Sequence, residues 1–492
     1  ARVYSMVPPP LRLLQIKTRM PKNLHHVVSP RLSGYLQLNK TVTSSAELPH
    51  IWRNLQLQWR VDLGTELLTP KEFSSKINGR RGILKINEQF IWLQDDRLNE
   101  LNSLLRTKPR LKENELLMAV VAKEYQGYRL NLGANAAELR KRLLSPEPVE
   151  LPEALQTELR PYQKMGLDWL CKNARFGFGG IIADDVGLGK TLQLIAFLLK
   201  QKEEGKLNGQ PALVVAAGAM LANWQRQFER AAPVLAVRDT TNGDKITTFA
   251  NTDVVLATSG YIKKEQKLFK KQDWHVLVLA EEPVTGTMSV LKPLKTSLKI
   301  ALTDVPPENH MSTYFGLFEM VYKGYLGSLV SFRKNFVKPV DLSGDDEQLG
   351  LFNKITAPFV LRREKDEEYI LKELPENPQA TITCRPSAGQ KQIYQRVFEQ
   401  HLSQIKKQKD EDGRARAIYT MQLALQQICT HPAQYLGKEA VPAEGSGKIE
   451  LLFELLRRFY TSGEKTIVFT RSRQTGNLLS ELVASMFKVQ PL

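Results

Sequence analysis

Residues Gly179–Leu199 read GGIIADDVGLGKTLQLIAFLL, and this stretch decides the fold. Ile181, Ile182 and Ala183 form a short apolar strand, Asp184–Thr191 a glycine-bearing loop, and Leu192, Ile195, Leu198 and Leu199 the apolar positions of a following helix. Strand, loop and helix in that order make a phosphate cradle. Gly187 and Gly189 let backbone N–H groups approach phosphate oxygens, and the helix start adds its positive end. Lys190 is placed to reach the β- and γ-phosphates, and the Thr191 hydroxyl to ligand Mg²⁺. The spacing departs from GxxxxGK[ST], since Asp184 stands where the first glycine belongs. The blander alternative is a glycine turn before an ordinary helix.

Downstream, apolar strands alternate with helices, as in an α/β fold with a parallel sheet. ALVVA (212–216), DVVLA (253–257), VLVLA (276–280) and KIALT (299–303) are strands, and LRPYQKMGLDWLCKNA (159–174) is a helix before the cradle. A further helix carries Trp224 and Phe228. Strands this apolar on both faces lie inside a sheet covered by helices. Ligands then sit at the strands' carboxyl ends, so the strand ends should carry the chemistry.

Upstream, LQLQWRVDLG from Leu55 and GILKINEQFIWLQ (82–94) alternate as strands, TPKEF (69–73) starts a helix, and 97–145 reads mainly as helix. Glu147, Pro148 and Pro152 mark a domain boundary. Residues 1–46 lack Asp and Glu but hold seven Lys or Arg, as a basic arm, a transit segment or a surface stretch would. Towards the end, DLSGDDEQLG (341–350) reads as a linker, 390–408, 416–429 and 448–460 as helices, and KTIVFT (465–470) as the strand opening a second α/β unit.

The 492 residues suggest about three domains. Hydrophobic content of 42% and charged content of 25% describe a globular chain. A formal charge of +17 favours a polyanionic partner, nucleic acid or an anionic membrane surface. No apolar run reaches bilayer-spanning length. Cys171, Cys384 and Cys429 form no metal spacing, which argues for a reducing, cytoplasmic setting and against disulfides or zinc. Ala at position 1 points to a piece of a longer protein.

The order of motifs resembles the Swi/Snf-type (Snf2 family) ATPases, helicase-like DNA translocases with two RecA-like lobes, and in particular their bacterial members. WRVDLG and FIWLQ precede the motor, LRPYQKMGLDWL matches the adenine-side motif, and ADDVGLGKT the phosphate loop. LVVAAGAMLANW, DVVLATSG, KIALTDVPPEN, GYLGSLVSFRKNFVKPV, PFVLRREKD, LQQICTHP and KTIVFTRSR follow in the family's order. The resemblance implies an α/β fold of RecA-like lobes with parallel sheets, preceded by a smaller α+β region. It divides the chain into a basic segment (1–46), an N-terminal region (47–149), lobe 1 (150–340), a linker (341–350), and junction helices with an incomplete lobe 2 (351–492).

It further implies ATP and Mg²⁺ as cofactors, double-stranded DNA and DNA-bound proteins as partners, and no membrane. Gln163 would contact adenine with Arg160 beside it, while Asp185, Gly187, Leu188, Gly189, Lys190 and Thr191 would hold the phosphates. Glu281 would polarise the attacking water and, with Thr191, serve the metal. Arg362, Arg363 and Lys365 would take a nucleic-acid or interlobe role. Lys263 and Lys264 begin a lysine run whose spacing of three and four fits DNA phosphates, although a solvated face is the commoner use.

Departures cluster at strand ends. Ala280-Glu281-Glu282-Pro283 replaces the family's Asp-Glu-Ala-His, removing the carboxylate that positions Mg²⁺. Glu282 and Asp185 are candidate substitutes, although a one-residue shift along a strand turns Glu282 to the other face. Asp304-Val305 replaces Gly-Thr, Ala217 stands where Pro is usual, and the chain stops before the motifs that carry the arginine finger. The resemblance therefore points to an ATP-dependent DNA translocase or remodeller. The altered metal site points instead to a hydrolysis-deficient DNA- and nucleotide-binding module. An unrelated P-loop RNA-unwinding enzyme would not account for LQQICTHP or GYLGSLVSF.

Overall fold

The computed structural model describes residues 27–39, 48, 51–64, 66–86, 89–94, 98–99, 101–103, 105, 111–125, 127–241, 246–281, 285–304, 311–375, 380–408, 410–437 and 445–489. Most of the basic segment 1–46, with Glu282 and Val305, lies outside these residues. The chain divides into two compact units, Ala1–Pro375 and Glu376–Leu492.

The first unit opens with strands β1 (Val27–Val28), β2 (Arg31–Leu38), β3 (Leu55–Asp62), β4 (Leu67–Leu68), β5 (Gly82–Ile86), β6 (Gln89–Leu93), β7 (Glu124–Tyr125) and β8 (Tyr128–Leu132). They form a five-stranded sheet, β4-β3-β2-β8-β7, and a three-stranded one, β1-β6-β5, with helices Pro70–Ile77, Glu113–Ala122 and Ala134–Leu144. Thr69 caps the helix that TPKEF foretold, its hydroxyl accepting from the Glu72 N–H while Glu72 reaches back to the Thr69 N–H. The stretch 97–145 is mainly helix among its described residues, as expected, but two short strands interrupt it, and the second, Tyr128–Leu132, runs parallel to β2. Gly34 makes that pairing possible, since a β-carbon there would strike Leu130. The alternation of YRLNL after the positive-φ Gly127 was the available signal.

A seven-stranded sheet follows, with β9 (Gly180–Ile182), β10 (Ala212–Val215), β11 (Val237–Asp239), β12 (Val254–Ala257), β13 (Trp274–Leu279), β14 (Thr296–Leu302) and β15 (Val360–Leu361) in the order β11-β12-β10-β13-β14-β9-β15. Every pairing is parallel, so the α/β class holds. Because side chains alternate, Leu213, Val255, Leu277 and Ala301 pack into the core on one face, while Val214, Val254, Val278 and Ile300 pack into another on the opposite face. Double-sided burial accounts for the uniformly apolar strands.

Two expected breaks are filled. A shared core crosses the expected boundary near Pro148: one cluster runs from Leu36 through Ile181 to Phe359, with Trp52 stacked 4.4 Å from Phe178, while Val61, Phe73 and Ile91 belong to a second, N-terminal cluster. The stretch 341–350 falls within or between helices Lys338–Ser343 and Asp346–Thr356, the second capped by the Asp345 carboxylate.

In the second unit, helices Ala388–Lys407 and Glu411–Thr430 pack through Val397, Ala424 and Ile428. Helices Gly447–Thr461 and Arg473–Phe487 follow, with Phe453 stacked on Phe487. Residues 465–470 are not a strand in the described chain, a correction to the expected opening of a parallel sheet. They carry no regular secondary structure, and Phe469 is 91% exposed. A strand is defined by its hydrogen-bonded neighbour, and among the described residues none pairs with this one.

Candidate nucleotide site

The cradle lies between β9 and helix Lys190–Glu203, as its sequence requires. Gly187 and Gly189 have φ of +91° and +79°, a region that side chains with a β-carbon adopt at a cost. Gly189 has a second reason to lack a side chain, because a β-carbon there would collide with the Gln163 amide. Gln163 links helix Pro161–Arg175 to the loop: its Oε1 accepts from the Arg160 N–H at 3.0 Å and its Nε2 donates to the Leu188 carbonyl at 3.2 Å. Both ends of the amide proposed for adenine are thus engaged with backbone. Leu188 is buried with Tyr162, Ile370 and Leu374, anchoring the loop from within.

Beneath the loop is a buried polar cluster that sequence reasoning missed. The Asp184 carboxylate, at the position of the expected first glycine, accepts from Arg363 Nε at 3.0 Å and from the Arg363 terminal nitrogen. Gln193 Nε2 donates to Asp184 at 3.2 Å, and Arg363 donates to Gln193 Oε1 at 2.7 Å and to the Tyr162 carbonyl. Asp184 and Gln193 are fully buried and Arg363 is 3% exposed. Burial above all pushes the Tyr162 phenol upward, against the pull of Arg160 and Arg363. The signal that could have revealed the cluster is Gly166, where a β-carbon would overlap Gln193.

This places the arginines differently from the expectation. Arg363 has no face for DNA because its guanidinium is enclosed with Asp184. Arg362 donates to the Ala183 carbonyl at 2.9 Å and pairs with Asp185 at 3.2 Å, while the Lys365 N–H donates to Asp185 at 3.0 Å. Segment 360–365 therefore braces the cradle. Lys365 Nζ stands 3.5 Å from where a Gly187 β-carbon would be, over the loop. Asp185 is held by these groups. Lys263 and Lys264 are exposed, but the helical face expected for the lysine run is interrupted at Glu265, between helices Ser259–Lys264 and Gln266–Lys271.

Lys190 lies at the cradle's centre, donating to the Asp184 carbonyl at 2.6 Å and pairing with Asp304 at 2.5 Å. Thr191, half-buried, begins the helix beside it. At the end of β13, Ala280 offers no oxygen, and Glu281 follows with its carboxylate accepting from Thr287 Oγ1 at 3.0 Å. Thr191 and Glu281 carry oxygens of the chemical type Mg²⁺ takes, while the side chain of Ala280 is a methyl group.

The family pattern described as "SNF2-related domain" matches residues 162–434, and one described as "SNF2 Helicase protein" matches 8–121. The chain is 29% identical to the "Putative ATP-dependent helicase/translocase YwqA" of Bacillus subtilis, over 88% of this chain and 50% of that protein. It is 27% identical to the SWI/SNF chromatin-remodeling complex subunit snf22 of Schizosaccharomyces pombe, over 69% of this chain and 22% of that protein. Among solved structures, the Sulfolobus solfataricus SWI2/SNF2 ATPase core in complex with dsDNA matches at 28% identity and a TM-score of 0.46, covering 70% of this chain and 73% of that one. The chain thus spans half or less of the length of these two curated relatives. With the SNF2-related pattern covering more than half of its residues, cradle and bracing segment included, this chain belongs to the SNF2 family.

Proposed function

We propose that this chain binds ATP in the Gly187–Thr191 cradle and engages duplex DNA, as the nucleotide-binding part of a SNF2-type translocase that acts on DNA-bound proteins. The observation that carries the reading is the positive-φ Gly187 and Gly189 ahead of Lys190 at the start of a buried helix. Backbone N–H groups at such a helix start favour an anion. Family membership supports ATP as that anion's source, and the relatives' names support DNA. The net charge of +17 and the exposed Lys263 and Lys264 agree with a phosphate-rich partner. Mg²⁺ would be held by Thr191 and Glu281 with the nucleotide's own phosphates, where it would neutralise charge between them.

The experiment has two arms. A fluorescent ATP analogue should bind the wild type and bind Lys190→Ala more weakly, and equal binding would remove the cradle assignment. Duplex DNA should bind without sequence preference and weaken steeply with salt. An affinity that is flat between low and moderate salt would remove the DNA assignment. A second reading, a module that binds both ligands without turnover, is favoured by Ala280 alone, whose methyl group replaces the metal carboxylate.

A further inference from the structure

The carboxylates at the ends of the central strands are not equivalent. Asp184 is enclosed with Arg363, and Asp185 is taken by Arg362 and the Lys365 N–H. Glu281 accepts from Thr287. Asp304 pairs with Lys190 at 2.5 Å, and its side chain is 60% exposed while that of Lys190 is 13% exposed. It is the one acidic side chain among the described residues whose carboxylate pairs with the cradle lysine.

Topology explains how it gets there. Strand β14 lies between β9 and β13, in register with both: Leu302 is level with Ile182 and Ala301 with Leu279. Two residues beyond its end, Asp304 therefore emerges between the phosphate loop and the strand end at Ala280. A carboxylate missing from β13 has a counterpart one strand nearer the cradle. A divalent cation on a nucleotide needs few protein oxygens, because phosphates and water complete its shell, and one or two carboxylates suffice.

We propose that Asp304 is the carboxylate that holds the divalent cation of a bound nucleotide, in place of the one absent at position 280. Without nucleotide, Asp304 satisfies the Lys190 ammonium. When phosphates take over that ammonium, the carboxylate is released toward the cation they carry. The substitution of Asp304 at the third motif and the loss of acid at Ala280 are then two halves of one relocation. The proposal rests on the cradle binding nucleotide and adds which residue secures its metal.

The test measures binding rather than turnover. A fluorescent ADP analogue is titrated into wild type, Asp304→Ala, Asp304→Glu and Lys190→Ala, each without divalent cation and over a Mg²⁺ series. Asp304→Ala should bind metal-free nucleotide at least as well as wild type, since Lys190 is freed. Its half-maximal Mg²⁺ concentration should rise by about 10- to 100-fold, the range seen when a group supporting a metal site is removed. Asp304→Glu, which keeps the carboxylate, should recover part of the Mg²⁺ response. If Asp304→Ala tightens binding by the same factor with and without Mg²⁺, the residue only competes with phosphate and the proposal fails. An unchanged Mg²⁺ series also overturns it, leaving a surface ion pair. Equal binding by wild type and Lys190→Ala would instead refute the cradle reading beneath it.

Discussion

Arg363 Nε donates to Asp184 Oδ1 at 3.0 Å across 179 residues of sequence, and both side chains are removed from solvent. The pair ties the strand end at β15 to the glycine loop after β9, so the shape of that loop depends on a segment far away in the chain. Gln193 and the Tyr162 carbonyl complete the hydrogen bonding, which is the condition for a buried charge to be tolerated.

Removing one partner leaves the other charged and buried. Arg363→Met and Asp184→Leu should each lose about 3–5 kcal/mol of stability. The double variant should be less damaged than either single one, because no lone charge remains. Urea denaturation followed by tryptophan fluorescence checks this, and strictly additive losses would show that the pair is not coupled.

Gly189→Ala should impair nucleotide binding more than Gly187→Ala. Both substitutions pay the left-handed backbone penalty of about 1–2 kcal/mol. At Gly189 the new methyl group also displaces Gln163 from the Leu188 carbonyl, whereas at Gly187 it meets only the flexible end of Lys365. Titration of the two variants with the same ATP analogue gives the order, and a reversed order would show that Gln163 yields without consequence.

Hydrolysis should be at background in the wild type with saturating DNA. Ala280→Asp restores a metal carboxylate but not the histidine position now held by Pro283, and groups of one catalytic unit are seldom additive. The gain should stay below about tenfold for Ala280→Asp, and remain partial for Ala280→Asp with Pro283→His. Robust DNA-stimulated turnover by the unmodified chain would mean that the present carboxylates support catalysis unaided.

Acid should destabilise the first unit through His275, on β13. Burial foremost, with Lys206 adding and Glu204 opposing, lowers its pKa from 6.5 to about 4, and its Nε2 lies 3.0 Å from Gln201 Oε1. The unfolded chain takes this proton near 6.5 and the folded one near 4, so between those values the unfolded state binds more protons. The stability is complete above pH 6.5 and falls as the pH drops toward 4. Urea midpoints measured from pH 7.5 to 4.5 should decline more steeply for wild type than for His275→Gln. Parallel profiles would show that the imidazole is not the group responsible.

Much of the cradle is written in adjacent residues. An apolar triplet, two glycines, a lysine and a threonine specify strand, loop and helix start by local chain geometry alone. The four strands 212–216, 253–257, 276–280 and 299–303 were legible for a similar reason, since a strand covered on both faces must be apolar throughout. Charges were harder to read. PFVLRREKD shows two arginines after an apolar run, and nothing local separates an arginine aimed at DNA from one folded against Asp184. The parallel sheet decides it: β15 pairs with β9, carrying Arg363 beneath the loop and Arg362 beside Asp185. Asp304 follows the same rule, a departure from pattern in the sequence that becomes the partner of Lys190 once β14 lies beside β9. Local backbone preference acts between neighbours and is visible in the sequence. An ion pair acts between side chains brought together from distant positions, and its partners are known only when the strands have been ordered.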